Sequence, residues 1–254
     1  MNLFDLSGKT ALVTGSSGGL GHAMARGLAE AGARIVLHGR DAEKLEKAQQ
    51  SLRDAGHEAA ITSFDVTDES GIAEALDALE ENGLPIDILV NNAGMQLRKP
   101  MVDLERDEWQ KVIDTNLSSA FLVGRQVARR LIERGQGGKV INIGSLMSSV
   151  ARPTVAPYTA AKGGIRLLTQ SMAAEWAEHG IQANAIGPGY MITEMTQPLV
   201  DDKAFNDWII GRTPSRRWGT PDDLVGTAVY LASPASSYVN GQIIYVDGGM
   251  LAVL

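Results

Sequence analysis

Tyr158 and Lys162 stand four residues apart, and Ser145 lies thirteen residues before the tyrosine. Residues four apart share one face of a helix. A free phenol has a pKa of about 10 and is a poor base at neutral pH. An ammonium beside it favours the phenolate, because a nearby opposite charge stabilises the ionised form. Lowering that pKa by about three units requires roughly 4 kcal/mol of differential stabilisation. The chemistry suggested is proton transfer to or from an alcohol or carbonyl oxygen. The same spacing also describes a half-buried tyrosine beside a solvated lysine, so its meaning depends on the elements that position it.

Those elements alternate. Short apolar runs at Thr10–Val13, Arg34–His38, Glu58–Phe64, Ile86–Val90, Lys139–Ile143, Ile181–Ile186 and Gln242–Val246 read as strands. Amphipathic stretches between them read as helices: Leu20–Ala31, Asp41–Ala55 with Asp41 as N-cap, Asp68–Asn82, a long helix over Asp107–Gly135, one opened by Pro157 and ending near His179-Gly180, and Pro221–Ala232. Continuous apolar strands alternating with helices imply a parallel sheet covered on both faces. The expected fold is a single α/β domain over 1–254, a Rossmann-type doubly wound sheet of about seven strands. One segment interrupts the pattern. Residues 190–219 carry Pro198, Pro214, Phe205, Trp208 and Trp218 after the end of a strand, where an active-site lid belongs.

A glycine cluster, Thr14-Gly15-Ser16-Ser17-Gly18-Gly19-Leu20-Gly21, joins the first strand to the first helix. Glycines there allow a tight turn and close approach of the backbone to a pyrophosphate, and the helix N-terminus offers free N–H groups. The second strand ends in His38-Gly39-Arg40-Asp41. An acid there suits the ribose 2′-hydroxyl of NAD, and an arginine suits the 2′-phosphate of NADP. Arg40 therefore favours NADP(H), with NAD(H) still usable.

The balance of charge is −7. That argues against nucleic acid, which favours a basic face. With no cysteine, disulfides and thiolate metal sites are excluded. No metal is expected. No apolar run approaches the ~20 residues of a membrane helix. The opening residues, Met1 to Lys9, lack the basic start and apolar run of a signal peptide, so a cytoplasmic protein without membrane partners is expected.

Together these motifs resemble the short-chain dehydrogenase/reductase family over essentially the whole length. The T-G-x-x-x-G-x-G pattern is met by Thr14, Gly15, Gly19 and Gly21, and N-N-A-G by Asn91, Asn92, Ala93 and Gly94. The adenine-side Asp-Val pair is met by Asp65-Val66, and P-G-x-x-x-T by Pro188, Gly189 and Thr193. The resemblance implies a catalytic set of Ser145, Tyr158, Lys162 and Asn116. In it Tyr158 is the general acid/base and Ser145 holds the reacting oxygen. Lys162 lowers the tyrosine pKa and bonds the nicotinamide ribose, while Asn116 binds a relay water. It implies a cofactor site of Gly15, Ser17, Gly19, Leu20, Gly21, Arg40, Asp65, Val66, Asn92, Ala93, Gly94, Tyr158, Lys162, Pro188, Gly189 and Thr193. It also implies a homotetramer, with the 107–135 helix and the Tyr158 helix at the interfaces.

Within the family the chain is most similar to bacterial gluconate 5-dehydrogenases. The stretches Gly187-Pro188-Gly189-Tyr190, Thr193-Glu194-Met195-Thr196, Arg212-Thr213-Pro214 and Arg217-Trp218-Gly219 carry that similarity. A sugar acid needs a cation for its carboxylate and polar partners for its hydroxyls. Ser145, Tyr158, Gln96, Arg98, Arg152 and Tyr190 are the expected substrate contacts, with Arg212 a further candidate. Met147 and Leu97 depart from the pattern by replacing polar residues. Dehydrogenases of 2-dehydro-3-deoxygluconate type and 3-oxoacyl-thioester reductases are the alternatives. Outside this chemistry stand a non-catalytic dinucleotide sensor and a serine hydrolase. The hydrolase lacks the G-x-S-x-G elbow around Ser145.

Overall fold

The structure, a computed structural model, describes residues 3–253; Met1, Asn2 and Leu254 of the expected 1–254 span lie outside it. Seven strands run in the order β3-β2-β1-β4-β5-β6-β7. They are β1 (Thr10–Val13), β2 (Arg34–His38), β3 (Ala59–Thr62), β4 (Ile88–Asn91), β5 (Gly138–Ile143), β6 (Ile181–Pro188) and β7 (Ile243–Val246). Every neighbouring pair is parallel. Strand order reverses at β1, which pairs with both β2 and β4. In open sheets of this kind, ligands bind outside the carboxyl ends of the strands at such a reversal.

Parallel strands buried on both faces need helices on both sides. One side carries α1 (Gly19–Glu30), α2 (Ala42–Asp54) and α9 (Val225–Ala232), whose Met24, Leu28, Leu45, Leu52 and Leu231 pack with Val13, Ile35 and Val90. The other carries α3 (Glu69–Glu81), α5 (Ser119–Arg134) and α6 (Ala156–Trp176), which bring Ile72, Leu76, Val123, Val127, Leu131 and Met172 against Leu12, Val36 and Leu89. Alternate strand residues thus feed separate cores, as the period of two requires. Asp41 caps α2 by accepting from Lys44 N at 3.1 Å, and Asp68 caps α3 by accepting from Ser70 N at 3.1 Å.

Three sequence expectations change. The long helix over 107–135 is two helices, α4 (Arg106–Ile113) and α5, joined by a π turn at Asp114–Ser118. The buried positions at the joint are the polar Asn116 and Ser119, between Val112 and Ala120. Pro221 opens a 3-10 turn over Pro221–Leu224 before α9. The 190–219 excursion is not irregular throughout: it holds α7 (Gln197–Val200) and α8 (Lys203–Arg212). It covers its own small core of Leu146, Ile209, Trp218 and Met250, with Tyr190 and Phe205 packed against it.

Candidate active site

The carboxyl end of β1 turns sharply because Gly15 sits at φ +63°, a left-handed conformation that glycine adopts without strain. A Cβ at Gly15 would lie 3.0 Å from Ala93 Cα, and one at Gly21 would lie 2.5 Å from Gly15 O. The loop is therefore pressed onto the turn after β4. Thr14 joins the two: its Oγ1 accepts from Asn92 N at 2.9 Å and from Ala93 N at 3.0 Å. Asn92 Nδ2 returns donors to Thr14 O and Gly15 O. Gly18 and Gly19, in contrast, would point a Cβ into open space, and no side chain caps α1. The loop backbone and the first turn of α1 thus face a cleft of about 450 Å³, lined also by Ser17, Leu20, Gly94, Asn116, Tyr158, Lys162 and Thr193. This bare glycine cradle at a helix N-terminus fits a dinucleotide pyrophosphate.

The cleft continues as a wider cavity of about 690 Å³ lined by Arg40, Asp65 and Val66. Arg40 donates to Asp65 Oδ2 at 3.1 Å. Asp65 also accepts from Thr67 N and Oγ1, and these hydrogen bonds hold its carboxyl below the usual carboxylate range. An exposed guanidinium beside an adenosine-sized cavity fits a 2′-phosphate.

At the opposite end, β5 ends at Ile143, and Ser145 caps a 3-10 turn by accepting from Met147 N at 3.2 Å. Ser148 Oγ donates to Lys162 O at 2.8 Å, tying this turn to α6. Pro157 lies in the first turn of α6, where its missing N–H costs no helical bond. Tyr158 and Lys162 then fall on one face, with the ammonium 5.5 Å from the ring centroid. Lys162 is 4% exposed, and its Nζ donates to Ile143 O at 2.6 Å. Burial pulls its pKa down to about 8.

The expected lowering of the Tyr158 pKa by Lys162 is not what this arrangement produces. Burial pushes the phenol up, and a hydrogen bond with Ser145 opposes this only in part. The ammonium is turned toward the Ile143 carbonyl, so the phenol is held in its proton-bearing form. Asn116 is 2% exposed in the π turn. Its Nδ2 donates to Met95 O and Val112 O, and its Oδ1 accepts from Met95 N at 3.2 Å. The wider turn presents this amide to the N-N-A-G turn, where a Cβ at Gly94 would lie 2.7 Å from Asn116 Oδ1. One Oδ1 lone pair remains for another donor.

Beside Ser145 and Tyr158 opens a second cavity of about 150 Å³. Gln96, Arg98, Arg152, Tyr190, Pro188, Gly189 and Thr193 line it, as do the apolar Leu146, Met147, Val155, Met191, Met195 and Leu199. Arg152 donates to Tyr190 Oη at 3.3 Å and stacks over Phe205 at 4.9 Å. Partial desolvation at the cavity rim, reinforced by the Arg152 charge, lowers the Arg98 pKa although the residue stays exposed. Neither arginine has a carboxylate partner among the described residues. Gln96 Oε1 is buried without a hydrogen-bond partner. Two cations and an unsatisfied amide oxygen therefore face one small cavity next to the tyrosine. Lys99 N donates to Thr154 O at 2.9 Å, pinning the Arg98 segment to the Arg152 loop, and Thr154 takes φ +69° to do so.

Arg212 does not join them. It donates to Val253 O at 2.8 Å and holds the C-terminal segment. Its position at the end of α8 turns it away from the cavity. Sequence reasoning also passed over Ser148, Thr154 and His38; only the position of His38 at a strand end beside the glycine loop offered a signal.

Residues 15–251 match the family model adh_short_C2, described as enoyl-(acyl carrier protein) reductase. Gluconate 5-dehydrogenase of Gluconobacter oxydans is 49% identical over 100% of this chain and 98% of its own length. The chain is a short-chain dehydrogenase/reductase. A 2-dehydro-3-deoxy-D-gluconate 5-dehydrogenase of Formosa agariphila is 48% identical over 100% of this reductase and 97% of the relative. Among solved structures, a chain from Agrobacterium tumefaciens proposed to be a gluconate dehydrogenase is 62% identical, with a TM-score of 0.98 and both chains covered in full. A gluconate 5-dehydrogenase from Burkholderia cenocepacia, in complex with NADP and tartrate, is 49% identical with a TM-score of 0.96, covering 100% of this short-chain dehydrogenase/reductase and 99% of that chain.

Proposed function

We propose that this dehydrogenase/reductase interconverts a secondary alcohol and a ketone on a sugar acid, D-gluconate and 5-keto-D-gluconate first, using NADP(H). The observation that carries the reading is the pair of unpaired arginines beside the Ser145–Tyr158 hydroxyls. A carboxylate is the natural counter-ion for two guanidiniums in one small cavity. The Burkholderia relative binds NADP and the dicarboxylic acid tartrate.

The dinucleotide, when bound, supplies or accepts the hydride. Tyr158 gives its proton to the carbonyl oxygen in reduction and takes it from the hydroxyl in oxidation. Ser145 Oγ hydrogen-bonds the same oxygen and stabilises its developing charge. Lys162 restores the tyrosine proton from the enclosed side of the cleft, and Asn116 supports a water-borne path to it. Gly15, Ser17, Gly19, Leu20, Gly21, Asn92, Ala93 and Gly94 hold the pyrophosphate and nicotinamide side. Arg40, Asp65 and Val66 hold the adenosine, while Pro188, Gly189 and Thr193 close over the nicotinamide. Gln96, Arg98, Arg152 and Tyr190 bind the acid, under a lid formed by 190–219.

A second reading is favoured by Met147 and its apolar neighbours, which leave few partners for a full set of hydroxyls. A 2-dehydro-3-deoxygluconate-type substrate matches that lining. A panel of keto-aldonates, deoxy acids and acyl thioesters, followed by NADPH absorbance, separates the readings. Reduction of a keto-aldonate, lost in Tyr158→Phe by about 10²–10⁴-fold with dinucleotide binding retained, is expected. Success on an acyl thioester alone would sink the sugar-acid assignment.

No helix among the described residues is long and apolar enough to cross a membrane. A cytoplasmic homotetramer belongs to the same proposal. Exposed Phe121 on α5 and Leu167 on α6 support the assembly. Light scattering of the purified chain checks it.

A further inference from the structure

His38 ends β2 and is 3% exposed, beneath the glycine loop. Its Nδ1 faces Gly15 N at 3.1 Å, and its Nε2 faces Phe64 O at 3.0 Å. A backbone N–H can only donate and a carbonyl can only accept. The ring must therefore be neutral, with its proton on Nε2 and a lone pair on Nδ1. The backbone fixes the same residue: Ser16 N donates to His38 O at 2.9 Å, and His38 N donates to Ser16 Oγ at 3.0 Å. The ring also packs on Phe64, with centroids 4.1 Å apart. One imidazole thus bridges the pyrophosphate turn and the segment that leads into Asp65 and Val66.

We propose that His38 is a positioning residue for the dinucleotide: its neutral ring holds Gly15 in the left-handed turn, and its protonation releases the glycine loop. A protonated ring places an N–H against the Gly15 N–H, donor against donor, and the turn loses its anchor. Burial holds the pKa of His38 below its ordinary value of 6.5, in keeping with the neutral form. The charged groups facing the ring are Arg40, which disfavours a second positive charge, and Asp65, which favours one. They are paired with each other at 3.1 Å. From the glycine loop the ring meets Gly15 while the His38 backbone meets Ser16, and from β3 the strand partner is Thr62, none of them charged.

The inference rests on dinucleotide binding by the glycine loop. NAD+ is the probe, because it lacks the 2′-phosphate, whose own titration falls in the same range. Binding is measured by calorimetry between pH 7.5 and 5, for wild type and for His38→Asn. Asparagine keeps an oxygen acceptor near the Nδ1 position and does not titrate. Wild-type affinity is expected to fall toward about tenfold per pH unit once His38 takes up its proton, as linkage requires. The profile of His38→Asn stays flat. Nitrogen NMR of His38 in the unligated wild-type chain reads the tautomer directly, whether or not the variant folds. A protonated Nε2 and bare Nδ1 at pH 7.5 are expected, with the Gly15 amide shifting as the ring titrates. A proton on Nδ1 at pH 7.5, or parallel binding profiles for the two proteins at a pH where the nitrogen spectrum shows the wild-type ring protonated, would overturn the role of His38. Absence of NAD+ and NADP+ binding by wild type at every pH would overturn the dinucleotide reading itself.

Discussion

The Lys162 ammonium is buried with a single hydrogen bond, to Ile143 O, and no carboxylate within ion-pair distance among the described residues. Its pKa falls to about 8 from 10.5. In the unfolded chain it keeps its proton up to about 10.5, so between pH 8 and 10.5 the unfolded state binds more protons. Its contribution to stability rises with pH across that window and is least favourable below pH 8, where the buried ammonium must be carried. Lys162→Met removes that burdened charge but leaves the Ile143 carbonyl without its donor, a loss of about 1–3 kcal/mol. The two effects are similar in size, so urea midpoints at pH 7 should differ little, and the variant should lose the pH dependence between 8 and 10.5. Turnover should collapse, since Tyr158 loses its proton source. A variant that unfolds far more readily at pH 7, or keeps the alkaline rise, would contradict this account. Tyr158 shifts the other way. With its phenol raised above 10, it is protonated at neutral pH, so reduction proceeds there, while oxidation speeds up as pH rises.

At the scale of elements, the site depends on how the ends of β1 and β4 are tied together. Thr14 Oγ1 accepts from two backbone N–H groups of the Asn92–Ala93 turn and donates to Val90 O at 3.3 Å. Thr14→Val keeps the shape and removes all three bonds. Each buried donor left unpaired costs about 1–3 kcal/mol. Thermal unfolding should fall by several degrees and dinucleotide affinity should drop, whereas Thr14→Ser should restore most of both. Equal losses in the two variants would assign the effect to the methyl group instead. This tie explains what was legible in advance. Strand positions, the cap Asp41 and the glycine turn follow from local pattern and from φ, and the structure has each of them. The π turn at Asp114–Ser118 follows from neither, because the buried positions at this joint are the polar Asn116 and Ser119 and one turn is too short to set a period of its own. The direction of the Tyr158 shift was equally hidden: spacing places Lys162 beside the ring but not the carbonyl that claims its ammonium. Arg212 shows the same limit, since the C-terminal segment that holds it is distant in sequence.

Across the whole molecule, the chain carries a net charge of −7, which repels an acidic substrate at long range. The cavity beside Tyr158 reverses that sign locally through Arg98 and Arg152. Several other arginines of the fold are neutralised by carboxylates, as Arg130 is by Asp77 and Arg217 by Asp223. Keeping two like charges unpaired at one cavity destabilises the empty site, and an anionic ligand relieves it. Arg98→Gln tests this with little disturbance of packing, because Arg98 lies on the exposed rim, whereas Arg152 also supports Phe205 and Tyr190. A hydrogen bond to a charged group contributes about 1.5–3 kcal/mol, so KM for a keto-aldonate should rise roughly tenfold to a hundredfold. If the contact is as strong with the bound ketone as during hydride transfer, kcat changes little. Salt should shrink the gap, since the lost term is electrostatic and partly screened at this rim. A neutral ketone of similar size should be reduced equally by both proteins. An unchanged KM for the acid, or an equal loss with the neutral ketone, would remove Arg98 from the carboxylate site and leave Arg152 and Tyr190 to hold it.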